Sequence, residues 1–297
     1  MSQPTSALSN GKTASAPQWG RWLSLDNRYV PPIFITLILL AGQATYGILE
    51  SYQKTLLAIA TAMVVELILS RVFVGKWPHL ASSYITGISV GILLRSPAYW
   101  PYAVCAAIAI TSKYVLRYKG KHLWNPSNFG ICVVLFLLPT SVAMLSIQWG
   151  NNLWSLVAIW ILGSVIIWRL KRFHISATYV VSFLLLAVLR AWIIHEPVLS
   201  EISPITGPEY QLFIFFMITD PRTTVRSKKG QALVAFLVAL LEMFFRFDQS
   251  VYAELYALFW VGPLAMLVEM WWNARRMKPA TPAPAAALMP NAEAARL

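Results

Sequence analysis

Ser82-Ser83-Tyr84-Ile85-Thr86-Gly87-Ile88-Ser89-Val90-Gly91-Ile92-Leu93-Leu94 and Pro208-Glu209-Tyr210-Gln211-Leu212-Phe213-Ile214-Phe215-Phe216-Met217-Ile218-Thr219 are two apolar segments of about a dozen residues. Each carries Ile-Thr-Gly at its entry, with Thr86-Gly87 and Thr206-Gly207 at a common offset (206 − 86 = 120). Each stops at a polar turn containing proline, Arg95-Ser96-Pro97 in one and Asp220-Pro221 in the other. At ~1.5 Å rise per residue they cover roughly 18–20 Å as helices, against a hydrocarbon core of about 30 Å. Short or interrupted apolar segments in corresponding halves of a chain point to an intramembrane site where two repeats meet.

Working outward, the rest of the chain is of the same kind. Hydrophobic residues make up 58% and charged residues 12%, and the mean hydropathy is +0.59; soluble proteins carry about 25% charged residues. Ten apolar runs are predicted to cross as helices, at 30–49, 55–74, 82–94, 99–116, 128–147, 153–168, 175–194, 208–219, 230–245 and 251–271. The expected fold is an all-α polytopic membrane protein of about ten transmembrane helices in two five-helix repeats, 30–147 and 153–273. The third helix of each is short or broken. Residues 1–29 form a polar tail without the basic and short apolar regions of a cleavable signal, so the first run is expected to insert uncleaved. Residues 274–297, rich in Ala and Pro, are expected to be a disordered tail.

The formal charge of +12 follows from the membrane. With the N-terminus cytoplasmic and all ten runs crossing, every one of the 24 Lys and Arg residues except Lys54, Arg95, Arg190 and Arg246 falls on the cytoplasmic side, as the positive-inside rule requires. Dropping either short segment as a crossing would invert all later loops. Five crossings per half make the repeats inverted and put both termini in the cytoplasm. The basic charge is thereby assigned to lipid and not to nucleic acid. Trp77, Trp100, Trp124, Trp149, Trp154, Trp192, Trp271 and Trp272 fall near run ends, where an interfacial belt is expected.

Several residues could carry chemistry. Asn125-Pro126 opens the fifth run as an N-cap with proline at the first helical position. The amides at such a start either are simply capped or hold an anion, a flavin or a phosphate oxygen. Asp220 either orients Arg222 and caps the next turn or contacts an ion or cofactor at the mouth of the broken segment. Glu66 and Glu242 lie deep in apolar runs and need a partner or a proton. Arg71 and Arg246, five and four residues on, are the sequence-near candidates. The four His are scattered without metal-ligand spacing, Cys105 and Cys132 are isolated, and there is no nucleotide-binding glycine loop. No metal site is expected and no catalytic residue is assigned. The candidate cofactor-binding set, expected between the halves, is Thr86, Gly87, Asn125, Asn128, Thr206 and Asp220.

The order of these motifs resembles the NqrB/RnfD family of membrane subunits, found in sodium-pumping NADH:quinone oxidoreductase and in the Rnf electron-transport complex. The resemblance rests on Asp26-Asn27-Arg28-Tyr29, Ser83-Tyr84-Ile85-Thr86-Gly87, Trp124-Asn125-Pro126-Ser127-Asn128-Phe129-Gly130 and Phe216-Met217-Ile218-Thr219-Asp220-Pro221, and spans about 26–272. It implies ten helices in inverted repeats, a bound flavin (FMN or riboflavin), and electron transfer or ion translocation with integral membrane and redox partner subunits. Redox members carry FMN on the Thr of a Ser/Asp-Gly-Ala-Thr loop between the fifth and sixth helices. Here that connection is Gln148-Trp149-Gly150-Asn151-Asn152, so no covalent FMN is expected. The chain looks closer to the divergent UnbU-like branch of enediyne biosynthesis loci. Two functions remain open: a redox subunit with non-covalent flavin, or a non-redox transporter or scaffold for making or exporting a small molecule.

Overall fold

The computed structural model describes residues 30–47, 49–144 and 153–276. The expectations for residues 1–29, for the connection at 148–152 and for the tail from 277 on lie outside the described residues; residues 274–276, expected to belong to that tail, are instead the last residues of a helix. The chain is mostly helical. In order, the elements are α1 (Val30–Tyr46), α2 (Tyr52–Phe73), α3 (Ala81–Leu93), β1 (Leu94–Arg95), α4 (Trp100–Val115), β2 (Arg117–Tyr118), β3 (Lys121–His122), α5 (Pro126–Leu137), β4 (Ala143–Met144), α6 (Leu153–Arg169), α7 (Phe173–Ile194), α8 (Val198–Ile202), α9 (Pro208–Leu212), α10 (Lys228–Phe247) and α11 (Ala253–Arg276). A 3-10 turn, Ser203–Thr206, precedes α9, and a π-helical turn, Phe213–Met217, follows it directly.

Among the described residues four helices are long and apolar enough to cross a membrane: Tyr52–Phe73, Phe173–Ile194, Lys228–Phe247 and Ala253–Arg275. At 20 to 23 residues each extends roughly 30–35 Å. They are inside-out relative to a soluble bundle. Val64 and Ile68 on α2, Leu185 on α7, Phe244 on α10 and Leu264 on α11 point outward, while Ala58, Ala62, Tyr179, Ala235, Val238 and Ala257 are buried. A wide apolar exterior is what lipid covers. Trp77, Trp100, Trp192, Trp271 and Trp272 are exposed near helix ends, in keeping with an interfacial belt.

The fifth run departs from expectation. It is predicted to span to residue 147, yet α5 ends at Leu137 after 12 residues. Pro139 disfavours helical backbone at Leu138, which sits at φ −131° and ψ 46°. The chain then turns, and β4 pairs antiparallel with β1, Leu94 opposite Met144 and Arg95 opposite Ala143. That ladder supplies backbone partners where α3 stops. α3 itself is laid tightly on α2: a Cβ added at Gly87 would stand 2.5 Å from Ile59 Cα, and one at Gly91 would stand 2.5 Å from Thr55 Cγ2. The small-xxx-small spacing is what lets two helix backbones come this close.

Contacts repeat between the two parts of the chain. α2 packs on α4 and α4 on α5; α7 packs on α10 and α10 on α11. Across the parts, α1 meets α6 and α5 meets α11. The α5–α11 seam is aromatic, with Phe136 stacked on Tyr256 at 4.8 Å and Phe129 on Phe259 at 5.7 Å. It also holds two polar bonds. Pro263, inside α11, has no N–H, so the carbonyl of Phe259 four residues earlier loses its helical donor. Trp124 Nε1 donates to that carbonyl at 2.9 Å. Asn128 Nδ2 donates to Leu255 O at 3.0 Å. Trp124 is thus a joint between the two parts.

The buried charges find partners that sequence proximity does not indicate. Glu66 on α2 pairs with Lys113 on α4 and accepts from Tyr114 Oη at 2.8 Å. Arg71 instead donates to Gly75 O and lies over Trp77. Glu242 on α10 accepts from Tyr179 Oη at 2.6 Å and Tyr210 Oη at 2.8 Å. Arg246 turns to Glu201, which also pairs with Arg190. The expected pairs Glu66–Arg71 and Glu242–Arg246 are therefore corrected. Residues five apart on a helix point to different sides, and neighbouring helices offer phenol and ammonium groups at direct range.

Candidate functional site

α3 and the broken segment 208–217 cross antiparallel. Ile92, at the end of α3, lines a small gap with Pro208 and Gln211, whereas Thr86, near its start, lines a cleft with Thr219 and Asp220. This cleft has a volume of about 590 Å³. Its walls come from three places: His79 to Ser89 around the start of α3, Asn125 to Ser127 at the start of α5, and Phe215 to Arg222 at the end of the broken segment. Lys113, His122 and Leu170 complete it.

Local sequence explains each wall. Asn125 is the N-cap of α5 at φ −64° and ψ 126°, with Pro126 following. Its Oδ1 accepts from Asn128 N at 3.2 Å and from Ser127 Oγ at 2.8 Å. Its Nδ2 donates to Asp220 Oδ2 at 3.3 Å, joining the two parts of the chain across the cleft. Asp220 also accepts from Arg222 N at 3.0 Å and Thr223 Oγ1 at 3.1 Å, so it is the turn-former after the segment as well as a wall. The π-helical turn leaves carbonyls that lipid cannot satisfy. Ser176 Oγ donates to Ile214 O and Thr219 Oγ1 to Phe215 O, both at 2.8 Å. The turn is thereby held open with Phe215 and Phe216 against the cleft.

The hairpin β2–β3 delivers His122. Arg117 lies opposite His122 and Tyr118 opposite Lys121, and the two linking residues, Lys119 (φ 49°) and Gly120 (φ 77°), both take the left-handed backbone that a tight hairpin demands. Burial, reinforced by Arg117, Lys113 and Arg222, pushes the His122 pKa down to about 4, so the ring is neutral at pH 7. Burial raises the Asp220 pKa, against the hydrogen bonds from Arg222 and Thr223 and the nearby charges of Arg222 and Lys113. The cleft therefore combines a neutral imidazole, a desolvated carboxyl, a carboxamide and two aromatic rings.

Of the six sequence-predicted residues, the structure brings Thr86, Asn125 and Asp220 to this cleft. Gly87 faces α2. Asn128, on α5, is buried against α11, with its Oδ1 lacking a partner. Thr206 lies at the far end: its hydroxyl donates to Ser203 O, and its carbonyl accepts from Gln211 Nε2. The expectation that Thr86 and Thr206 converge is corrected by the antiparallel crossing. Entering from opposite ends, the two Thr-Gly pairs do not meet: Thr86 lies with Thr219 and Asp220, and Gly207 lies beside Pro208 at the Ile92 end of α3. Their backbones differ too, since Gly87 is inside α3 while Gly207 is extended ahead of α9.

Lys113 and His122 are among the cleft residues that sequence reasoning left without a role. Lys113 was legible in part, because a cation within an apolar run asks for a partner as Glu66 does. His122 was not, because only the hairpin turns it inward. No family model and no curated protein matches the chain.

The opposite end is tied down by charge. Lys54 Nζ donates to Glu50 Oε1 and Ser96 O, each at 2.6 Å. Burial tends to raise the Glu50 pKa, but hydrogen bonds from Lys54, Tyr102 and Ser96 outweigh it and hold the carboxyl below its usual value. Arg95 donates to Ile92 O and Leu94 O at 2.9 Å, and Glu201 bridges Arg190 and Arg246. Lys54, Arg95, Arg190 and Arg246 are thus all engaged.

Proposed function

We propose that this chain is an integral membrane subunit of an Rnf/Nqr-like electron-transport system, with ten crossings in two inverted five-helix halves. In this proposal it lies in a bacterial cytoplasmic membrane with both termini cytoplasmic. It works with other integral and redox subunits, and supports electron transfer or ion translocation through a non-covalent flavin, FMN or riboflavin. The observation that carries the proposal is the cleft of about 590 Å³ closed by the Asn125–Asp220 bond. Its size lies within the ~300–1,000 Å³ range of cofactor pockets. Phe215 and Phe216 offer ring faces, and Asn125, Ser127, Thr86 and His122 offer the polar edge that a flavin ring's carbonyls and nitrogens need. The matching contacts α2–α4–α5 and α7–α10–α11, with the antiparallel α3 and 208–217, support the inverted halves.

A second function, a non-redox carrier, is favoured by Glu254. It is 0% exposed, and neither carboxylate oxygen has a hydrogen-bond partner. An ionisable group of this kind within an apolar bundle is a means of moving a proton or cation. The test is flavin content. Chain purified in detergent and then denatured should release FMN or riboflavin near one per chain, seen by fluorescence after chromatography, and Asn125→Ala should retain less. Flavin-free wild-type chain refutes the redox function and leaves the carrier.

A further inference from the structure

Beside the flavin-sized cleft lies a second one of about 540 Å³, sharing His122, Pro221 and Arg222 with it. Its remaining walls are Gly120, Lys121, Arg172, Thr224, Val225, Arg226 and Gln231. Lys121, Arg172, Arg222 and Arg226 converge on one concavity, and none of its lining residues is acidic. Among the described residues none of these four cations makes an ion pair. Two carboxylates bond to this lining through its backbone: Asp220 Oδ1 accepts from Arg222 N at 3.0 Å, and Glu269 Oε1 from Arg226 N at 2.7 Å. Two nitrogens on this lining, Arg172 Nη1 and His122 Nδ1, are buried without a hydrogen-bond partner.

An unfilled guanidinium nitrogen is a strong donor withheld from water, and such groups are normally satisfied. Like charges gathered in a hollow repel one another, and an anion between them reverses the sign. A basic surface serving only to orient the chain in the membrane needs positive charge, but neither concavity nor buried empty donors. The planar fork of Arg matches the tetrahedral oxygens of a phosphate. We infer that this cleft binds a phosphate group, carried either on a soluble phosphate ester or on an anionic lipid headgroup. Arg172 supplies the inner donors and Arg222, Arg226 and Lys121 the surrounding charge. The inference does not depend on a flavin: a flavin-free preparation that answers to phosphate retains it.

The test uses inorganic pyrophosphate as probe on the full-length chain, with sodium chloride at matched ionic strength as reference. Thermal unfolding in detergent should shift upward by roughly 5–10 °C at about 100-fold excess over Kd. In Arg172→Gln the apparent Kd should weaken at least about tenfold, one lost charge-assisted bond. Arg226→Gln, an exposed side chain with no fold to support, gives an independent variant should Arg172→Gln not accumulate. Nanodiscs identify the source. A soluble ester as natural ligand predicts the pyrophosphate shift in both phosphatidylcholine and phosphatidylglycerol. A lipid headgroup predicts extra stability in phosphatidylglycerol alone, lost in both variants, with no further response to pyrophosphate there. Absence of any shift beyond the chloride reference, or equal shifts in wild type and both variants, overturns the inference.

Discussion

Trp124→Phe removes one donor from the seam between the two parts of the molecule and leaves the ring stack largely in place. The indole lies 5.5 Å from Phe129 and 5.9 Å from Phe259, contacts a benzyl ring can approximate. What is lost is the 2.9 Å bond from Nε1 to Phe259 O. That carbonyl has no helical donor to fall back on, because residue 263 is proline. A buried acceptor left unsatisfied costs about 1–3 kcal/mol. For a domain of this size about 1 kcal/mol corresponds to roughly 2–4 °C, so melting in detergent should fall by roughly 2–12 °C. Pro263→Ala restores the N–H that the carbonyl lacks. In that background Trp124→Phe should cost little, and the double-mutant cycle should return a coupling of about 1 kcal/mol or more. The assay is thermal unfolding of the four proteins in one detergent, checked by size exclusion. Additive effects, with coupling below about 0.5 kcal/mol, would refute the claim that Trp124 stands in for the missing helical donor.

Gly87→Ala places a Cβ 2.5 Å from Ile59 Cα, so α2 and α3 must separate by nearly an ångström to reach ordinary contact; Gly262→Ala meets only Leu258 Cδ1, at 3.6 Å. Overpacking should lower the stability of the first by about 1–3 kcal/mol, while the second is neutral or gains from helix propensity, as paired melting curves would reveal. Glu201→Gln leaves Arg190 and Arg246 buried without their carboxylate and should cost about 3–5 kcal/mol, against no measurable change for exposed Glu196→Gln. The His122 pKa is lowered to about 4, so the unfolded chain takes the proton first. Stability should be full above about pH 6.5, decline as the pH falls toward 4 by up to roughly 3 kcal/mol, and decline less in His122→Asn; Asp220, raised by burial, acts in the opposite sense in both proteins. For the proposed topology, a cysteine at Leu199, 80% exposed, should label from outside intact cells and one at Lys119 only after permeabilisation, the native Cys105 and Cys132 being buried; labelling of Lys119 from outside would sink the inverted arrangement.

What sequence by itself determined is what each segment does locally. Four of the ten apolar runs became the long helices α2, α7, α10 and α11, because backbone in an apolar medium has only itself to bond; the runs at 30–49, 99–116 and 128–147 gave shorter helices. Asn125-Pro126 became a capped helix start, and Thr219-Asp220-Pro221 a turn, because those side chains compete with or preset the adjacent backbone. Even the brevity of α3 and of 208–217 was legible from their flanks. Pro139 was equally visible and ends α5 early, a stop that hydropathy alone passes over.

Which neighbour each face meets was decided only in three dimensions. Periodicity marks a face for burial and says nothing of the partner opposite, so Lys113 for Glu66, two tyrosines for Glu242 and Glu201 for Arg246 were out of reach of any spacing rule. The Asn125–Asp220 bond spans 95 residues of chain and the Trp124–Phe259 bond 135. The shared Ile-Thr-Gly invited the idea of one site built from both copies. Antiparallel crossing of the two segments instead carries the two Thr-Gly pairs to opposite ends, Thr86 to the cleft with Asp220 and Gly207 beside Pro208 at the Ile92 end. The cleft forms where the start of one segment meets the end of the other, an adjacency that belongs to the packing of the two helices and to neither sequence alone.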